Sequence, residues 1–234
     1  MDTLMVKSVF LNDTRKESMM YPTKQEVDFA VNLVNELVEL GMFECMESHG
    51  ECGLYNWMFE NNLHRLGYSW GSGVTKACIS HTDLANWVIK VRFKDTKRDY
   101  CSIEYNNYLL AVEEKLEGYF PFTDFLCEKE GFSFFIQERA ECNEDTEEEV
   151  SSCWYESARE ELIWDGEDPQ GKWFMDRVCD LVDNYDDLEK ANIIFGNDRL
   201  TRFLQRNRIT DLHQGNFGII DGNIVIIDFS GYMG

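Results

Sequence analysis

Residues 210–234 read TDLHQGNFGIIDGNIVIIDFSGYMG. They begin with a polar loop, Asp211-Leu-His-Gln-Gly-Asn216, and continue into an apolar run that predicts a strand. Asp221-Gly222-Asn223 is a tight turn, and Ile224 to Ile227 predicts a second strand with Asp228 at its end. Such a hairpin brings Asp211, Asn216 and Asp228 to one side. Two carboxylates and an amide in that layout suit a divalent metal and a hydroxyl nucleophile.

The rest of the chain can be asked whether it supplies a nucleotide site around that hairpin. A length of 234 residues suits one domain of two lobes or two small domains. With 44% hydrophobic and 14% aromatic residues the chain has material for a packed core, which argues against general disorder. No run of eighteen apolar residues occurs, so no transmembrane helix and no membrane partner are expected. The first residues lack the apolar segment and small-residue cleavage site of a signal peptide, so a cytoplasmic location is expected.

The net charge of −22 argues against nucleic-acid binding through phosphate contacts, so no direct nucleic-acid partner is expected. Half of it falls between Glu141 and Asp168, where twelve acidic residues meet one base, Arg159. Such a block reads first as a solvated surface. It also suits electrostatic recruitment of basic partners, or mimicry of a phosphate backbone. The eight cysteines are scattered, and without an export signal they read as reduced thiols. Cys45-x3-His49-x2-Cys52 offers three zinc-type ligands but no fourth at standard spacing.

Upstream, Thr23 and Glu26 form a capping-box pattern ahead of a helix whose Phe29, Leu33, Leu37 and Leu40 make an apolar stripe ending at Gly41. A second helix is predicted from Leu54 to Leu66, with Trp57, Met58, Asn61 and Leu66 around its face, stopping at Gly67. Tyr68 to Ile79 then reads as strand, glycine turn (Gly71-Ser72-Gly73), strand. Trp87 to Phe93 alternates as a third strand with Lys90 in its middle. A helix between Asp99 and Leu116 carries Glu104, and two short strands, Phe122–Leu126 and Phe132–Ile136, follow. Helices are predicted at roughly 152–164 and 172–184, and in a segment ending near Asn207. Arg199, Arg202 and Arg206 share one face of the last helix, a charged surface expected to partner the acidic block.

A glycine turn, a mid-strand lysine, a helix glutamate, Asp-x4-Asn and a strand-end Asp are each weak signals. In this order they meet the needs of phosphoryl transfer, which rests on positioning and charge neutralisation. A lysine must neutralise the α/β-phosphates and an acid must orient it. Oxygen ligands must hold magnesium, and a carboxylate must align the acceptor hydroxyl.

These residues resemble the protein-kinase-like family. Asp211-Leu-His-Gln-Gly-Asn216 is similar to D-x-x-x-x-N, Asp228-Phe-Ser230 stands where kinases have D-F-G, and Trp87-Val-Ile-Lys90 stands for V-A-I-K. The Asp-x-His form is also similar to aminoglycoside and choline kinases. Asn86-Trp-Val-Ile-Lys-Val-Arg-Phe-Lys94 together with residues 211–216 resembles most the early serine/threonine protein kinases of T-seven-like bacteriophages. That likeness spans about residues 54–234, the middle third by element order alone.

The resemblance implies an α+β, two-lobed protein-kinase-like fold. It would have a helical N-terminal extension (residues 1–66), a small antiparallel β N-lobe (67–140) and a truncated, mostly helical C-lobe (141–234). It implies Asp211 as catalytic base, Lys90 as the phosphate-binding lysine and Glu104 as its partner, with Glu113 and Glu114 alternatives on the same helix. Gly71, Ser72 and Gly73 would cover the phosphates of ATP, and Gln137 to Ala140, including Glu138, would form the adenine hinge. Asn216 and Asp228 would hold Mg2+.

The implied partners are host bacterial proteins of basic or nucleic-acid-associated character. The departures are a shortened glycine loop, Thr210 in place of the arginine of H-R-D, and a chain end six residues after Asp228. They lead to the expectation of a minimal large lobe. Two other functions are compatible with the residues. One is an inactive acidic protein that inhibits a host nucleic-acid-binding enzyme. The other is a small-molecule phosphotransferase of the aminoglycoside type.

Overall fold

The computed structural model describes residues 15, 19–46, 51–72, 75–141, 198–209 and 216–231. The expected helices at 152–164 and 172–184, His49, most of the acidic block, Gly73 and Asp211 lie outside the described residues. The fold is α+β, built on a five-stranded antiparallel sheet, and the chain divides into two compact units. One comprises residues 20–108 and 122–139, and the other residues 1–19, 109–121 and 140–234.

In the first unit two helices precede the sheet in sequence and belong with it. Helix α1, Lys24–Glu39, starts at the predicted capping box: Glu26 N–H donates to Thr23 Oγ1 at 3.2 Å, and Thr23 N–H donates to Glu26 Oε2 at 2.7 Å. Its buried face is Ala30, Leu33, Val34 and Leu37. The predicted stripe therefore holds from Phe29 to Leu37 and fails at Leu40. Leu40 is the exposed C-cap, and Phe29 packs edge-on to His81 at 5.5 Å. Helix α2, Glu51–Glu60, ends sooner than predicted. Asn62 takes a left-handed φ of 55° and a short 3-10 turn, Leu63–Leu66, completes the segment. Leu54 and Met58 are its buried anchors, whereas Leu66 is exposed.

Strands β1 (Tyr68–Ser72), β2 (Lys76–His81) and β3 (Trp87–Arg92) follow, then helix α3 (Tyr100–Glu113), β4 (Thr123–Lys129) and β5 (Phe132–Glu138). The sheet order is β1-β2-β3-β5-β4, with every neighbour antiparallel. β3 and β5 are therefore central, although α3 and β4 separate them along the chain. Their sequences fit that place: WVIKVR and FSFFIQE are nearly continuous in apolar residues, as a strand covered on both faces requires. Ala77, Ile79, Ile89, Val91, Phe93, Phe134 and Ile136 are all buried to within 2% exposure. Two polar ties fix α1 to the sheet: Trp87 Nε1 donates to Glu26 Oε1 at 3.0 Å, and Tyr68 OH donates to Glu36 Oε2 at 2.8 Å.

The second unit holds the C-terminal hairpin. β6 (Phe217–Ile220) and β7 (Asn223–Ile226) pair antiparallel through Asp221 and Gly222, at φ 50° and 74°. Positive φ at both turn positions matches the right-handed twist of the strands, which is why Asp-Gly serves there. Helix α4, Asp198–Arg206, packs Phe203 against Phe120 at 5.7 Å between ring centroids. Arg15, 1% exposed, donates through Nη1 to the carbonyls of Gly118 (2.9 Å) and Phe120 (2.6 Å). Arg206 forms an ion pair with the Glu114 carboxylate, and Arg199 donates to the Glu114 carbonyl. Two of the three arginines expected to face the acidic block thus close the end of α3. The last carbonyls of a helix lack the amide donors that a further turn would supply.

Candidate functional site

Lys90 lies mid-β3, and register fixes its direction: Cys78 of β2 and Phe135 of β5 stand opposite it. Its Nζ donates to Glu104 Oε1 at 2.5 Å. Glu104 sits in the second turn of α3, whereas Glu113 is the last residue of that helix and Glu114 is paired with Arg206. The geometry selects Glu104 among the glutamates of this helix as the partner of Lys90. Lys90 is 6% exposed and Glu104 1%.

Glu104 has two further donors that sequence reasoning missed. Lys76, the first residue of β2, binds Oε2 with its ammonium group. Gln137 Nε2 donates to Oε1 at 2.6 Å and to Thr123 Oγ1 at 3.0 Å. The expected role of Gln137 was in the hinge, yet its side chain is buried and holds this carboxylate. The signal for Lys76 was period two: in a strand, Lys76 and Cys78 share a face, and Cys78 is opposite Lys90. One carboxylate thus orients two ammonium groups. Charge-assisted bonds of this kind are about twice as strong as neutral ones.

Beneath them Cys101, one turn before Glu104, is 2% exposed. Burial pushes its thiol well above the usual range. Lys76 and Lys90 oppose that shift, and Glu104 and Asp99 add to it. Its burial and raised thiol fit a small packing residue of the core.

Of the other expected ATP-binding residues, Gly71 and Ser72 fall in β1, opposite Cys78 and Ala77 of β2. A Cβ built on Gly71 would meet no atom within 4 Å, so the backbone there is open to close approach. Glu138 closes β5. Its N–H donates to Phe122 O at 2.8 Å, and its Oε2 accepts from Phe122 N–H at 3.2 Å, so the side chain ties β5 to the chain entering β4.

In the second unit Ala140 packs against Gly218, whose missing Cβ would lie 2.7 Å from that of Ala140. Glu141 pairs with Ile219 through two backbone bonds of 2.8 Å. Asn216, 7% exposed, accepts Ile227 N–H at 2.8 Å, so the ladder extends past β6 and β7. Asn216 and Asp228 are thereby set at the same open end of the hairpin. Asp228 Oδ1 accepts Ser230 Oγ at 2.9 Å. Phe229, with no exposed surface, packs on Phe120 at 4.8 Å and pins the segment between these polar residues.

Asn216 and Asp228 are hard oxygen donors, the type that magnesium takes, and magnesium keeps several waters beside one or two protein ligands. Among the described residues no group of three or more His, Cys, Asp or Glu side chains converges as a metal site. Cys45 of the Cys-His-Cys pattern donates its thiol to Met42 O at 3.1 Å, and burial pushes that thiol up to about 11. No helix among the described residues is long and apolar enough to cross a membrane. Compared with known proteins, the chain matches no family model and no curated sequence.

Proposed function

We propose that this protein is a protein-kinase-like, two-lobed phosphotransferase, an ATP- and Mg2+-dependent serine/threonine protein kinase of the bacteriophage type. The observation that carries the reading is the buried Lys90–Glu104 pair. A lysine on the third strand and a glutamate on the following helix form the ion pair on which protein kinases depend. Sheet order β1-β2-β3-β5-β4, with the helix inserted after β3, supports it further. So do Asn216 and Asp228 at one end of a hairpin.

Lys90, oriented by Glu104, neutralises charge on the α/β-phosphates. Gly71, Ser72 and Gly73 cover the phosphates, and the chain from Glu138 to Ala140 runs beside the adenine. Asn216 and Asp228 would hold Mg2+, which spreads the charge that develops on the transferred group. Asp211 accepts the proton of the acceptor hydroxyl as its oxygen attacks the γ-phosphorus and the bond to the β-phosphate oxygen breaks. The acceptors are host bacterial proteins in the cytoplasm, basic or nucleic-acid-associated, drawn by the charge of −22. Their phosphorylation would serve takeover of the host.

The test is transfer of label from γ-labelled ATP to host lysate proteins or to the enzyme itself. Wild type is expected to label in a magnesium-dependent way and Asp211→Ala to fail. Equal labelling by the variant, or none by wild type, contradicts the reading. The acidic charge favours a second function, a non-catalytic inhibitor that occupies a basic site on a host nucleic-acid-binding enzyme. Capture of a host enzyme that survives Lys90→Ala and is lost on neutralising the acids of residues 144–149 is the outcome expected of it.

A further inference from the structure

Lys76 is the residue that the phosphotransferase reading does not require. It opens β2 three positions after Gly73, where the glycine-rich pattern G-x-G-x-x-G would place its last glycine. Register sets it on the same sheet face as Lys90, one diagonal step away, and both ammonium groups converge on Glu104, Lys76 on Oε2 and Lys90 on Oε1. The third cation on that face, Arg92, stands opposite Lys76 but is engaged elsewhere. Its Nη1 reaches the Phe93 carbonyl at 3.2 Å, and its guanidinium lies over the Phe132 ring at 4.6 Å.

Two lysines, each 6% exposed, are thus set on a single carboxylate. Lysine is among the residues least often buried, because taking its charge out of water is costly. Lys90 and Gln137 bind Oε1 of Glu104 and Lys76 binds Oε2, so the carboxylate aligns both ammonium groups side by side. The position of Lys76 also suits an anionic ligand, on the strand that leaves the glycine turn and beside the lysine assigned to phosphate.

We propose that Lys76 is a second phosphate-binding residue, so that the nucleotide's phosphates are held by two lysines aligned by one glutamate. This inference rests on the phosphotransferase reading. It assigns Lys76 a direct contact with the α- to γ-phosphate oxygens, beyond any effect through Lys90. The two ammonium groups also favour a triphosphate over a diphosphate, since each added phosphate oxygen strengthens the attraction to a desolvated cation.

The experiment is calorimetric titration of the full chain with MgATP, MgADP and adenosine, on wild type, Lys76→Met, Lys76→Gln and Lys76→Arg. Loss of one charge-assisted hydrogen bond predicts at least about a tenfold weaker Kd for MgATP in Lys76→Met and Lys76→Gln. Adenosine, which has no phosphate, should bind within about twofold of wild type, the spread expected without a lost contact. Lys76→Arg should retain most of the MgATP affinity, because it keeps the charge. The glutamine variant carries the comparison if the methionine variant melts early. MgATP binding within twofold of wild type in both neutral variants overturns the role of Lys76. Equal weakening of adenosine and MgATP shows a structural effect and also overturns it. A wild type that binds adenosine and MgATP alike, or neither, overturns the phosphotransferase reading itself.

Discussion

Lys90 and Glu104, fourteen residues apart in sequence, meet at 2.5 Å between strand β3 and helix α3. The same carboxylate receives Lys76 and Gln137, so three strands and one helix share a single buried polar centre. Such a network specifies the packing of α3 on the sheet, because a half-satisfied version of it is worse than an apolar core.

Removing the centre should therefore be costly. Glu104→Ala is expected to lower stability by about 3–5 kcal/mol, the usual effect of deleting one partner of a buried ion pair. Urea denaturation followed by circular dichroism measures it. A loss under about 1 kcal/mol, the range of exposed pairs, would show that the pair is solvent-screened.

The two glycines of the C-terminal stretch should separate strain from clash. A Cβ on Gly222, at φ 74°, would meet open space, so Gly222→Ala should cost about 1–2 kcal/mol from the left-handed backbone alone. Gly231 has the same φ, 73°, but its Cβ would lie 2.4 Å from Arg208 O. Gly231→Ala should therefore destabilise more than Gly222→Ala in the same denaturation assay. Equal losses would mean that the contact with Arg208 yields easily.

Much of this was legible in the sequence, and the misses have physical causes. The succession of strands and helix along the chain followed from hydrophobic pattern, and the β6–β7 hairpin from Asp221-Gly222, because a two-residue turn with positive φ admits few sequences. The α1 stripe stops short of Leu40 because Leu40 is the C-cap, which capping rather than periodicity decides. Lys76 and Gln137 stayed hidden since a lysine after a glycine turn and a glutamine near a strand end usually face water. Their burial depends on α3 bringing Glu104 onto the sheet, a tertiary contact with no local signature. The Arg199 and Arg206 contacts with Glu114 are tertiary in the same way.

The capping box gives a pH-dependent prediction. Hydrogen bonds from the Thr23 N–H and then the Thr23 hydroxyl hold the Glu26 carboxyl below the usual carboxylate range, against a smaller desolvation effect and with a further bond from Trp87. A carboxyl depressed in the folded state contributes stability above its unfolded pKa and loses it as pH falls through the folded value. Thr23→Ala should cost about 1 kcal/mol at neutral pH. The gap from wild type should narrow as acid protonates Glu26. Thermal melts of both proteins across the acid range check this, and a gap that widens in acid would contradict it.

Phe229 should act as the anchor of the segment that carries Asp228. It has no exposed surface and packs on Phe120, so Phe229→Ala is expected to cost about 3–5 kcal/mol. Phe229→Leu, which keeps most of the volume, should cost under about 1.5 kcal/mol, as near-isosteric swaps do. Similar losses in the two variants would show that the ring is not closely packed.

The central proposal is that Lys90 binds the phosphates of a nucleotide and that Asn216 and Asp228 bind magnesium. Calorimetric titration with ATP, with and without Mg2+, on wild type, Lys90→Ala and Asp228→Asn tests it most directly. The account predicts that wild type binds ATP and binds it more tightly with magnesium. It also predicts that Lys90→Ala weakens binding under both conditions and that Asp228→Asn abolishes the magnesium-dependent gain. Wild-type protein that binds no ATP, or binds it with the same affinity in all three proteins, would contradict it.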